Sequence, residues 1–133
     1  MLRNPSTPGS PHDWLNRAKS DLALARLPLP EEVFYEDLCF HAQQAAEKAL
    51  KAVYQYHGWK FLYTHDLDEL VTGLKRQGVV IPPEINEAVV LTSFVWEARY
   101  PGLSEPATPE EHQEAVSYAK AVVAWAENEI ASR

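Results

Sequence analysis

The sequence predicts an all-α, up-and-down bundle of about five helices, and three observations carry that prediction. Apolar residues recur at helical spacing along most of the chain, proline and glycine stand where helices would start and stop, and nothing alternates with a period of two over a useful length. With 133 residues the chain is close to the modal size of one domain and can bury a core without disulfides or metals. We divide it into a loose tail over residues 1–10, rich in Pro, Ser, Thr and Gly, and one helical bundle over residues 11–133.

Each element follows from its punctuation. Ser10-Pro11-His12-Asp13 supplies an N-cap hydroxyl, a proline at the first helical position and a first-turn acid. Trp14, Leu15, Ala18, Leu22 and Ala25 then carry a first helix to about Leu27, where Pro28 and Pro30 stop it. A second helix is expected from near Glu31 to His57, with Gly58 as terminator. At about 100° per residue, Leu38, Ala42, Ala45, Ala49, Val53 and Tyr56 form one stripe of it, dense enough in alanine for a neighbour to approach closely. A polar stripe of Asp37, His41, Gln44, Lys48, Lys51 and Gln55 runs beside it and reads as a solvated face, helped by the Glu47–Lys51 pair.

Thr64 is expected to cap a short third helix through Leu67, Leu70, Val71 and Leu74, ending around Gln77-Gly78. Pro82-Pro83 opens a fourth, carrying Ile85, Ala88, Val89, Thr92, Val95 and Trp96, with Val90, Leu91 and Phe94 apolar on another side. A helix so apolar around its girth calls for burial on more than one face, from which we expect a partner subunit, a homodimer being the commonest choice. Thr108-Pro109-Glu110-Glu111 is a capping box that launches a long last helix through Tyr118, Trp125 and Ile130.

Composition narrows the function classes. The net charge of −7 argues against a domain that alone clamps a long nucleic-acid backbone, since phosphate binding runs on Lys and Arg; a small nucleotide or a basic partner fits better. The lone Cys39 has no partner for an intramolecular bridge, and no stretch approaches the roughly 20 apolar residues of a membrane span, so a reduced, cytoplasmic protein is the expectation. The five histidines show no ligand spacing and there is no cysteine pair, Gly-rich phosphate loop or nucleophile elbow, so neither metal nor cofactor is expected.

Phe40-His41-Ala42-Gln43-Gln44-Ala45-Ala46-Glu47-Lys48-Ala49-Leu50-Lys51-Ala52, then Gly58, Thr64-His65-Asp66-Leu67 and Ala98-Arg99-Tyr100-Pro101, resemble in order and spacing the pattern of HEPN domains. The resemblance covers roughly Trp14 to Ile130. It implies two helical hairpins plus an extra short helix, usually dimeric, often encoded beside a minimal nucleotidyltransferase, in some branches a toxin, with a possible nucleotide or RNA site. The chain departs from the ribonuclease branch, whose Arg is followed at four to six residues' separation by a His: after Arg99 stand Ser104, Glu105 and Pro106, and His112 is too distant. Arg cannot replace that histidine in proton transfer.

The candidate binding residues are therefore Arg99, a planar fork suited to phosphate, and Tyr100, a face for base stacking, with Lys48, Lys51, His41 and Gln44 from the second helix. Structural alternatives stay open for each. Arg99 can pair with Glu97 or Glu105, Tyr100 can be core, the lysines can be solvated, and His41 and Gln44 can bridge helices. Asp66 reads as a capping acid. Three functions fit: an accessory domain that binds a nucleotide or RNA beside a nucleotidyltransferase, as in a toxin–antitoxin-type system; a ribonuclease toxin using His41 or His65; and a ligand-free interaction dimer.

Overall fold

The computed structural model describes residues 7–61, 63–94 and 106–131. The order of elements is α1 (Pro11–Ala25), α2 (Tyr35–His57), α3 (Leu67–Arg76), α4 (Pro83–Glu87), a 3-10 segment (Ala88–Thr92) and α5 (Pro109–Ala131), with no strand among the described residues. Within the expected 1–10 tail, residues 1–6 lie outside the described set and the remainder make a turn, Ser10 N–H donating to Thr7 O at 3.0 Å.

Caps set the helix starts. Ser10 Oγ accepts from Asp13 N at 3.0 Å, and Asp13 in return accepts from Gly9 N at 2.9 Å, a bond that holds its carboxyl below the usual range. The Thr108–Glu111 box closes reciprocally at the head of α5, both bonds at 3.0 Å. α2 begins at Tyr35 and not near Glu31. Glu32 sits at φ 66°, a left-handed backbone that a helix cannot absorb, and the first bond from a side chain comes only where Asp37 accepts from Phe34 N at 3.3 Å. Gly58, at φ 75°, ends α2 as expected.

The cap of α3 is Asp66, accepting from Asp68 N at 2.9 Å; Thr64, expected in that role, accepts from Asp66 N at 3.0 Å and donates to Glu69 at 2.8 Å. The expected long fourth helix is a single α-turn that tightens into 3-10 geometry. Thr92 Oγ1 there accepts from Leu67 N at 3.0 Å, tying the segment to the start of α3. Val95 and Trp96 lie outside the described residues.

α2 is the central post. It packs along α1 on one side and α5 on another, with α3 and the 3-10 segment filling a third, so that Leu38, Ala42, Ala45, Ala46, Ala49, Leu50, Val53 and Tyr54 are all buried. Tyr56 is only partly so. The remaining core includes Leu15, Ala18 and Ala25, Leu67, Leu70, Val71 and Leu74, Ile85 and Leu91, and Ala115, Ala119, Val122 and Ala126. Small residues dominate where α1, α2 and α5 meet, which is what lets three helices approach one another closely. Among the described residues no helix is long and apolar enough to cross a membrane.

Candidate functional site

The helix that fills the core also carries the polar stripe, and α1 lies across part of it. Asp37 is exposed as the composition suggests, but from His41 to Lys51 the stripe is half-buried or buried and not a solvated face. Lys51 is buried, and Glu47 and Gln43, one step further round the cylinder, are 3% and 0% exposed. Burying a carboxylate is costly unless a counter-charge and hydrogen bonds meet it. Both conditions are satisfied here, and by the same device used twice.

In the first unit, Asp21 of α1 accepts from Lys48 Nζ at 2.6 Å and from His41 Nδ1 at 2.9 Å. In the second, Glu47 accepts from Lys51 Nζ at 2.9 Å and from His65 Nδ1 at 2.9 Å. Each unit thus holds a buried carboxylate between one ammonium and one imidazole. A carboxylate only accepts, so each ring carries its proton on Nδ1 and turns Nε2 away. The imidazoles are the accessible members: His41 and His65 side chains are 35% and 46% exposed, against 11% for Asp21 and 4% for Glu47.

Gln43 and Gln44 fasten the second unit. Gln43 Nε2 donates to His65 O at 2.9 Å and more weakly to Glu47 at 3.3 Å, while Gln44 Nε2 donates to Gln43 Oε1 at 2.7 Å. The ammonium of Lys51 also lies 5.1 Å from the Phe61 ring and 5.7 Å from Trp14, so cation–π attraction adds to its ion pair. Among the described residues no buried side-chain polar atom lacks a partner, and no group of His, Cys, Asp and Glu could hold a metal.

His41, Gln44, Lys48 and Lys51 thus come together in one seam along α2. Arg99 and Tyr100 lie outside the described residues, as does the turn at Pro101-Gly102. Their described flanks are Phe94, packed against the core, and Ala107, whose N–H donates to Glu36 at the head of α2 at 2.9 Å. His112 is inside α5, as expected, and its Nε2 donates to Ala25 O at 2.6 Å, capping the end of α1.

Sequence reasoning missed Asp21 and the central place of Glu47. A signal for Asp21 existed, since it occupies the buried line Leu15, Ala18, Asp21, Ala25 of α1, where an acid requires a partner. Glu47 was visible only as half of an i,i+4 pair, because nothing local announces that His65, across a loop, completes it.

A central buried helix flanked by two long ones and crossed by a charged seam defines a class of small helical-bundle domain. The model of the HEPN domain family matches residues 11–129, and the chain belongs to that family. Among solved structures it is similar to TT1696 from Thermus thermophilus, with 30% identity, a TM-score of 0.80 and coverage of 91% of this chain and 98% of that one. It is also similar to ST0689, described as an archaeal HEPN homologue, with 26% identity, a TM-score of 0.70 and the same two coverages. Comparison with curated proteins finds no match.

Proposed function

We propose that the chain is a nucleotide- or RNA-binding HEPN domain, cytoplasmic and homodimeric, acting with a nucleotidyltransferase partner in a toxin–antitoxin-type system. The observation that carries this reading is the seam itself. A small bundle would be as stable with apolar residues in those positions, so a buried, fully partnered set of charges with accessible imidazoles is better explained by a ligand than by folding. Arg99 and Tyr100 supply the phosphate fork and the stacking face. Because Lys48 and Lys51 are already committed to carboxylates, they set the potential of the seam more than they grip a phosphate.

Calorimetric titration of the nucleotide-free protein with ATP, GTP and a short single-stranded RNA tests the proposal beside Arg99→Ala. Saturable binding that disappears in the variant is the expected result. Absence of heat at several temperatures would move the assignment to a ligand-free interaction dimer, and binding that survives the change would remove Arg99 from the site.

The paired His–carboxylate units favour one second reading, cleavage of RNA. An imidazole oriented through Nδ1 presents Nε2 to take the proton of a ribose 2′-hydroxyl. That oxygen would attack the adjacent phosphorus, and the departing 5′-oxygen would receive a proton, leaving a 2′,3′-cyclic phosphate and a 5′-hydroxyl. Incubating the pure protein with RNA should then release cyclic-phosphate ends, a product lost in His41→Gln or His65→Gln. Intact RNA after incubation with wild-type protein rules the reading out.

A further inference from the structure

A second polar–aromatic cluster lies outside the seam, where α2 hands over to α3. The chain Trp59-Lys60-Phe61 alternates sides there: Trp59 and Phe61 pack against the core while Lys60 faces solvent. Phe61 is pinned, with Trp14 edge-on at 5.5 Å, Tyr54 edge-on at 6.2 Å and the Lys51 ammonium 5.1 Å from its ring. Tyr63 stands edge-on to Phe61 at 6.0 Å and is 98% exposed, the barest large apolar side chain among the described residues. With Gln55 of α2 these residues line a depression of about 270 Å³.

The chemistry of that depression is specific. Its floor is a ring held from three sides and its wall is a ring with almost no protein contact. Gln55 offers an amide with both donor and acceptor, Lys60 offers a cation, and neither side chain has a hydrogen bond or ion pair among the described residues. A nucleobase uses all of these at once: a π-face to stack, an edge that donates and accepts, and a phosphate one sugar away. The volume falls below the range of about 300–1,000 Å³ typical of clefts for drug-sized ligands, which suits one ring system. With a chain charge of −7, a site for a single base fits better than a groove for a long backbone.

We infer that Tyr63, Phe61, Gln55 and Lys60 form a stacking site for one nucleobase and its phosphate. The inference rests on the nucleotide- or RNA-binding reading above and adds a contact point to it. The ligand is a base either on a free nucleotide or at an unpaired position of RNA, and two arms of one experiment separate these sources. Binding is measured by calorimetry with ATP and by anisotropy with a fluorescein-labelled single-stranded oligoribonucleotide, for wild type, Tyr63→Ala, Tyr63→Phe and Arg99→Ala.

Tyr63→Ala should weaken binding about tenfold to a hundredfold, as loss of one stacked base does, while Tyr63→Phe, which keeps the face, stays near wild type. Because Tyr63 is solvent-exposed, the thermal melt of the alanine variant should match wild type, separating lost contact from lost fold. An effect in both arms identifies a free nucleotide as sufficient; an effect with the oligonucleotide alone identifies a base in a strand. Wild-type affinity in Tyr63→Ala together with loss in Arg99→Ala overturns this site and leaves the parent reading standing. No binding by wild type overturns both.

Discussion

Glu47 accepts hydrogen bonds from Lys51 and His65 at 2.9 Å each and from Gln43 at 3.3 Å while only 3% exposed. Removing it leaves the Lys51 ammonium buried without a counter-charge, so Glu47→Ala should cost about 3–5 kcal/mol in urea unfolding. Replacing Glu47 and Lys51 together by leucine should cost clearly less than Glu47→Ala, because no charge is then stranded. Equal losses would mean that Glu47 and Lys51 do not act as one unit. Cys39 gives a second residue-scale prediction. Burial first, and then the charges of Glu111 and Glu36, push its thiol up to about 12. The fold therefore holds the proton, and the stability this contributes is complete below the ordinary thiol value of 9.0 and is lost as pH rises from there toward about 12. Stability should fall more steeply above pH 9.0 in wild type than in Cys39→Ala, and a thiol reagent at lower pH should label only unfolded chain; fast labelling of the native protein would contradict the burial. At this scale the caps of α1 and α5 were legible, because Ser10 and Thr108 act on amides three residues away, whereas α3 is capped by Asp66 in place of Thr64. The seam was only half legible: His41, Gln44, Lys48 and Lys51 were in view, whereas Asp21 needed knowledge of which helix crosses α2.

At the scale of elements, the close contact between α2 and α3 turns on one glycine. Tyr54 Oη donates to Leu70 O at 2.7 Å, and a Cβ built on Gly73 would collide with that hydroxyl. Helix propensity alone would favour alanine at this position by about 1 kcal/mol. The collision is with the end of a buried ring that cannot swing away, so Gly73→Ala should instead destabilise by about 1–3 kcal/mol. Adding Tyr54→Phe should recover only part of that loss, because it removes the clashing oxygen but also the bond to Leu70 O and leaves the ring carbon 3.3 Å from the new Cβ. A Gly73→Ala variant more stable than wild type would show that α3 slides freely on α2. Helix existence followed from spacing and punctuation, since α1, α2, α3 and α5 each show apolar periodicity between recognisable stops. Boundaries followed less well. The start of α2 depends on Glu32 adopting a left-handed backbone, and the shortness of α4 on the run Val89-Val90 tightening into 3-10 geometry, neither of which periodicity encodes.

For the whole molecule, the outside of the 3-10 segment is the face that the proposed homodimer would cover. Ile85, Ala88 and Leu91 are spent inward, each 1% exposed, while Val90 next to them is 56% exposed and Val89 and Phe94 are only partly covered. A cleft of about 180 Å³ opens beside Val90 and Phe94 against Glu111, Glu114 and Tyr118 of α5, so that an apolar ridge and a rimmed hollow occupy one face. A two-fold axis beside such a face would seat the ridge of each copy in the hollow of the other, the self-complementary arrangement that closed dimers use. Analytical ultracentrifugation of the wild-type chain at micromolar concentration should therefore report a dimer. Val90→Asp would place a carboxylate opposite Glu111 and Glu114 across that contact; it should shift the species to monomer while leaving helix content unchanged, because Val90 contributes little to the core of one copy. The melting temperature of wild type should also rise with protein concentration, a dependence absent in the variant. A monomer for wild type throughout the range would end the dimer proposal and leave the exposed Val90 on a face of a single domain, while a dimer that persists in Val90→Asp would move the contact to another face, the exposed Leu24 at the end of α1 and Leu27, Leu29 and Phe34 in the connection to α2 being the next to substitute.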